Sequence, residues 1–172
     1  MDCHICQLIK EKKNKVFENE DLYVFAAEEP SVAGHIIAVP KAHIPILEEV
    51  SDRLAGDLFW IANKVSVSVF ESIGAHGTNI LVNNGHAAGQ DRAHVQIHIL
   101  PRRENDGLDL DWKPKQLSEE EMSTTELFIK DKVGKVGIIQ EDKKAPVEVK
   151  DDTEKMEADE EDYMLKQLKR TP

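Results

Sequence analysis

Residues 94–100 read His-Val-Gln-Ile-His-Ile-Leu, and this alternation predicts an extended strand with two unlike faces. Side chains alternate along a strand, so His94, Gln96 and His98 share one face and Val95, Ile97 and Ile99 the other. The apolar set belongs against a core. The polar set puts two imidazoles and a carboxamide in a row, each about 6.6–7 Å from the next. On these residues alone the row is either a solvated strand face or the wall of a polar cleft.

The rest of the chain supplies partners for such a strand. Residues 16–17 and 22–26 read as two short strands around Glu18-Asn19-Glu20-Asp21, and 34–40 as an apolar strand bounded by Gly34 and Pro40. Residues 78–83 give a further strand before the turn signal Asn83-Asn84-Gly85. Between them, Ser51 is placed to cap a long helix, with apolar residues recurring at Leu54, Leu58, Trp60 or Ile61, Val65 and Val69. Gly74 and Gly77 end it. Ser118-Glu119-Glu120-Glu121 is a capping-box start for a short last helix to about Lys132. Strands, one long helix, strands and one short helix predict an α+β fold with a mostly antiparallel sheet.

Charge sets the domain boundaries. The chain carries a net charge of −11, and residues 141–162 hold eleven acidic residues against four lysines. That stretch has almost no large apolar residues and cannot bury enough to fold by itself. The expected organisation is therefore a domain over 1–135, an acidic linker over 136–162 and a C-terminal arm over 163–172. In the arm, Tyr163, Leu165 and Leu168 make a short apolar face beside basic residues, which reads either as a frayed terminus or as a docking peptide. Overall acidity disfavours a nucleic-acid-wrapping surface, which needs clustered cations. No apolar run nears the roughly 20 residues that span a bilayer, and Met1 leads into Asp2 without a charged and then apolar leader. A soluble, cytoplasmic protein with no membrane partner is the expectation.

Two further features carry chemistry. Cys3 and Cys6 form a Cys-x-x-Cys pair, which in a reducing compartment is metal-binding, redox-active or inert. The loop from Asn83 to Gln90 holds two Asn, Gly85 and Gly89, and can offer backbone N–H groups and amides to an anion. Arg102 and Arg103 add cations at the far end of the strand.

Taken together, these motifs resemble the histidine triad (HIT) family. His94-Val-Gln-Ile-His98 is similar to the family's His-x-His-x-His, with Gln96 at the middle position. Pro30-x-x-x-Gly34-His35, Pro40-Lys41-x-His43 and Asn83-x-Gly85-x-x-Ala88-Gly89-Gln90 resemble the family's other signatures, in order, over about residues 3–103. The resemblance implies a five-stranded antiparallel sheet and a homodimer that extends it. It also implies a purine nucleotide of the AMP kind, bound by His35, Asn83, Gly89, Gln90, Asp91, Gln96 and His98, with the α-phosphate over the triad. The implied activity is nucleotidyl hydrolysis or transfer on a dinucleoside polyphosphate, an adenylyl adduct or a phosphoramidate, with catalytic positions Gln96, His98 and His94. In a zinc-containing branch of the family, Cys3, Cys6, His43 and His94 would hold a structural Zn²⁺, a donor set that suits closed tetrahedral coordination.

Departures from the pattern bear on the chemistry. A carboxamide nitrogen is not a nucleophile, although Gln96 can still hydrogen-bond a phosphate. Asp91 stands where the family often carries Ser or Thr. Ala27, followed by Glu28 and Glu29, stands where it often carries Asp or Asn for the ribose. Two functions therefore remain open: an enzyme impaired at its nucleophile, or a non-catalytic nucleotide sensor or adaptor that uses its C-terminal arm for a partner.

Overall fold

The computed structural model describes residues 3–133; the expected linker at 136–162 and arm at 163–172 lie outside the described residues. The chain parts into two units between Trp112 and Lys113. The first unit runs α1 (His4–Glu11), β1 (Lys15–Glu18), β2 (Leu22–Ala26), β3 (Ile36–Pro40), α2 (Asp52–Ile73), β4 (Gly77–Leu81) and β5 (Ile97–Arg102). The second holds α3 (Glu119–Val133). Ser118 caps α3 as expected: its Oγ accepts from the Glu121 N–H, and the Glu121 carboxylate accepts from the Ser118 N–H and hydroxyl.

The five strands form one antiparallel sheet in the order β1-β2-β3-β5-β4. Its two faces follow from alternation within the strands. Leu22, Val24, Ile36, Ala38, Val95, Ile97 and Ile99 point to one side and pack under Leu58, Ile61, Ala62 and Val65 of α2. Each large aliphatic side chain buried there contributes about 2 kcal/mol. Ile61, not Trp60, takes the inward position; Trp60 stays 56% exposed. Ser51 caps α2 by accepting from the Leu54 N–H, and Gly74 ends it in the left-handed conformation.

The opposite face carries Tyr23, Phe25, Ile37 and Val39, packed with Ile5 and Leu8 of α1. Sequence reading expected one long and one short helix, so α1 is an addition. Its eight residues carry no capping signal: Cys3 occupies the N-cap without a side-chain bond, and Lys12 rather than glycine adopts the left-handed C-cap. Being short, α1 covers part of this face and leaves the rest open.

The strand expected over 94–100 is paired only from Ile97 onward, because β3 meets β5 at Ala38 opposite Ile97 and no further. Ahead of it, the Val95 N–H donates to the Ile44 carbonyl and the His94 N–H to the Arg92 carbonyl. The alternation of faces survives this change of partner: Val95, Ile97 and Ile99 stay in the α2 core.

Candidate functional site

The open part of the sheet is a cavity of about 600 Å³. Its apolar lining comes from Ile5, Leu8, Phe25 and Ile37, where α1 meets the sheet, and from Leu81, Leu100, Leu108 and Leu110. Its polar side is made by His35, Asn83, Gly89, Asp91, Gln96 and His98. Of the nucleotide-binding set expected from sequence, six residues converge here. Gln90 does not line this cavity: its Nε2 donates to the Pro45 and Arg92 carbonyls, and its Oε1 accepts from the Gly85 N–H.

Hydrogen bonding fixes the direction of the imidazole pair. The Ser31 N–H donates to His35 Nδ1 at 3.3 Å, so the His35 proton sits on Nε2. His35 Nε2 lies 3.1 Å from His98 Nδ1 and donates to it. The remaining His98 proton is thereby placed on Nε2. Burial, and then the neighbouring His98, hold His35 down at about 4, so the relay is neutral at pH 7. Burial also lowers His98, while the charge of Asp91 opposes that shift. A neutral His98 with its Nε2 proton directed onward is a hydrogen-bond donor to an anion.

Gln96 is buried, and its Nε2 donates to Asp91 Oδ1 at 3.3 Å. Asp91 Oδ2 lies 3.5 Å from Arg92 Nε. Loop 83–92 is braced against the turn at 47–49: Asn84 accepts from the Leu47 N–H and donates to the Glu48 carboxylate. At the rim by α1, Glu28 accepts from His4 Nε2 and Lys13 Nζ, both at 2.6 Å. These rim residues were not foreseen, and they follow from the unforeseen helix. Arg102 and Arg103, expected to extend the cationic end, are spent on structure. Arg102 binds Asp106, Asn79 and the Leu108 carbonyl, and Arg103 binds the Ile73 carbonyl.

Behind the cavity, Cys3, Cys6, His43 and His94 bring their donor atoms within 4.8 Å of one another. Cys3 Sγ lies 3.6 Å and Cys6 Sγ 3.7 Å from His94 Nδ1, and Cys6 Sγ lies 3.5 Å from His43 Nδ1. Tetrahedral bonds of about 2.3 Å to sulfur and about 2.05 Å to nitrogen put S···N edges near 3.6 Å, so the set fits a metal ion of that geometry. His94 Nε2 donates to the Pro40 carbonyl at 2.9 Å, which orients Nδ1 toward the cluster. Burial keeps His94 neutral and able to ligate, against a raising effect from Pro40. His4, between the cysteines, turns away to Glu28.

An antiparallel sheet with one imidazole relay and a carboxamide beside a glycine-bearing loop defines a protein of the histidine triad class. The family model of the HIT domain matches residues 9–105, and the chain belongs to that family. Adenylylsulfatase HINT3 of Arabidopsis thaliana is 34% identical over 109 residues, covering 62% of this chain and 55% of that protein. Adenosine 5'-monophosphoramidase of Schizosaccharomyces pombe is 32% identical over 125 residues, covering 71% of this chain and 91% of that protein. Among solved structures, a HIT-family protein from Bacillus subtilis superposes with a TM-score of 0.70 at 29% identity, covering 76% of this chain and 96% of that one. A zinc-bound histidine triad protein from Mycobacterium smegmatis shares the fold, with a TM-score of 0.60 at 24% identity over 77% of this chain and 98% of that one.

Proposed function

We propose that this chain binds a purine nucleotide of the AMP kind and presents its α-phosphate to a triad whose nucleophile position is Gln96. The relay from Ser31 through His35 to His98 carries this reading, because it ends in a directed N–H donor inside a cavity that also has apolar walls. The base lies over Ile5, Leu8, Phe25 and Ile37. The phosphate takes hydrogen bonds from His98, Gln96 and the loop of Asn83 and Gly89. HIT-type nucleotidyl hydrolysis or transfer on a polyphosphate, adenylyl adduct or phosphoramidate needs a nucleophile at position 96, and a carboxamide supplies none. His94 is engaged behind the cavity and His98 has its acceptor nitrogen filled, so neither replaces it.

The Cys₂His₂ set holds a structural Zn²⁺, tying α1 to the segment that carries the triad. The chain pairs as a homodimer that extends the sheet. Supporting this, β4 is an edge strand, and Phe59, Trp60, Val67 and Phe70 leave an exposed apolar stripe on α2. Among the described residues no helix is long and apolar enough to cross a membrane. A non-catalytic sensor or adaptor is the second reading, favoured by the same Gln96.

The test is AMP binding by calorimetry together with AMP release from a fluorogenic adenylyl phosphoramidate, on the chain as it stands and on Gln96→His. Binding in both, with release only from Gln96→His, is expected. Release already with Gln96 would overturn the nucleophile argument, and absence of AMP binding would overturn the nucleotide reading.

A further inference from the structure

Helix α1 carries two rows of side chains with different surroundings. Cys3 at its N-cap and Cys6 belong to the Cys₂His₂ set, whose other members, His43 and His94, follow β3 and precede β5. Ile5 and Leu8, at the same i,i+3 spacing, are 2% and 3% exposed and line the cavity, where His4 meets Glu28 at the rim. A helix of eight residues without a side-chain cap does not hold its course unaided. The seat of α1 therefore rests on its apolar contacts with Tyr23, Phe25, Ile37 and Val39, on the His4–Glu28 pair and on the cluster. His43 is exposed and both cysteines are half-buried, so an ion held there can exchange with the medium. The cavity has two apolar walls. Leu81 and Leu100, on β4 and β5, stand with Leu108 and Leu110 in an aliphatic one; the α1 wall adds the phenyl ring of Phe25, which suits an aromatic base.

We infer that Cys3 and Cys6 are positioning residues for the nucleotide base: with a metal ion between them and the two histidines they seat α1, and the seated helix supplies the wall on which the base rests. This deepens, and rests on, the nucleotide and metal readings above. Such coupling is reciprocal, so AMP must tighten the metal by the factor by which the metal tightens AMP. A different route is open to the phosphate, because His94 stands two residues before Gln96. The two routes need different parts of the ligand. The route through α1 needs the base, and the route through His94 needs only the phosphate.

The test measures Zn²⁺ affinity of the full chain by competition with a chelating dye, alone and with saturating AMP or ribose 5-phosphate. AMP should tighten Zn²⁺ by about tenfold, and ribose 5-phosphate by less than about twofold. Calorimetry of AMP on the metal-free and the metal-loaded chain should return the same factor. Leu8→Ala, which keeps Cys3, Cys6, His43 and His94, should cut the AMP effect to less than about threefold, whereas Leu110→Ala, on the aliphatic wall, should keep it. The inference is overturned if bound AMP leaves Zn²⁺ affinity unchanged, if ribose 5-phosphate tightens Zn²⁺ as much as AMP does, or if Leu110→Ala rather than Leu8→Ala abolishes the effect. Should Leu8→Ala fail to fold, the comparison of AMP with ribose 5-phosphate decides. Failure of the loaded chain to bind AMP would instead overturn the nucleotide reading, and failure to bind Zn²⁺ the metal reading; either takes the inference with it.

Discussion

Acidification should act on the fold through His35. In the folded protein its Nδ1 accepts from the Ser31 N–H and its Nε2–H donates to His98, so both ring nitrogens are committed in the neutral form. A second proton would set a donor against the Ser31 donor in a buried place. The folded value of about 4 lies below the ordinary 6.5, so the unfolded chain takes up the proton first. The contribution of His35 is therefore whole above pH 6.5 and is lost as pH falls toward 4. Linkage between 6.5 and 4 gives about 2 kcal/mol lost from pH 7 to pH 5, and about 3 kcal/mol by pH 4. The interval from pH 7 to 5 is the useful one, since it lies above the ordinary carboxylate range. Urea unfolding followed by fluorescence at half-unit steps would give the slope, for the chain and for His35→Gln. The variant should be less stable at pH 7 and flatter by about 2 kcal/mol over the interval. Equal slopes in the two proteins would refute the relay and its direction.

Metal analysis should find one Zn²⁺ per chain, and Cys6→Ser should lose it, with a fall in thermal midpoint that added chelator reproduces in the unaltered protein. Gly34→Ala should destabilise by about 1–2 kcal/mol in urea. Gly34 has φ +84, and an added Cβ would stand 2.7 Å from Ile73 Cδ1 and 3.2 Å from Pro101. Trp60→Glu, on the exposed stripe of α2, should weaken self-association at least tenfold in sedimentation experiments without changing the circular dichroism spectrum; an unchanged dimer would place the interface elsewhere.

Much of the sheet was legible because period-two alternation survives in the chain. His94, Gln96 and His98 separate from Val95, Ile97 and Ile99 on paper as they do in space. The long helix announced itself through Ser51, its apolar spacing and Gly74. Helix α1 did not, because its ends rest on Cys3 and Lys12, and its burial is decided by strands that come later in the chain. With it went the rim pair His4 and Glu28 and the apolar wall. Arg102 and Arg103 looked free in sequence, but Asp106 lies four residues beyond Arg102 and claims it through a turn that composition does not reveal. Gln90 looked like a ligand group. Its carboxamide instead holds carbonyls from Pro45 and Arg92, of which the first is distant in sequence and could only be seen folded.

That last carboxamide has a consequence for how fast and how tightly an anion is taken up. A single side chain ties three backbone points, at Gly85, Pro45 and Arg92, while Asn84 pins the same loop to the turn at Leu47. The conformational entropy of this loop is therefore surrendered when the chain folds, not when a ligand arrives. On the proposed nucleotide reading, an incoming phosphate would meet donors already in position and spend little of its binding energy on arranging them. The loop should then have the same backbone course with and without ligand, and association should be limited by encounter rather than by rearrangement.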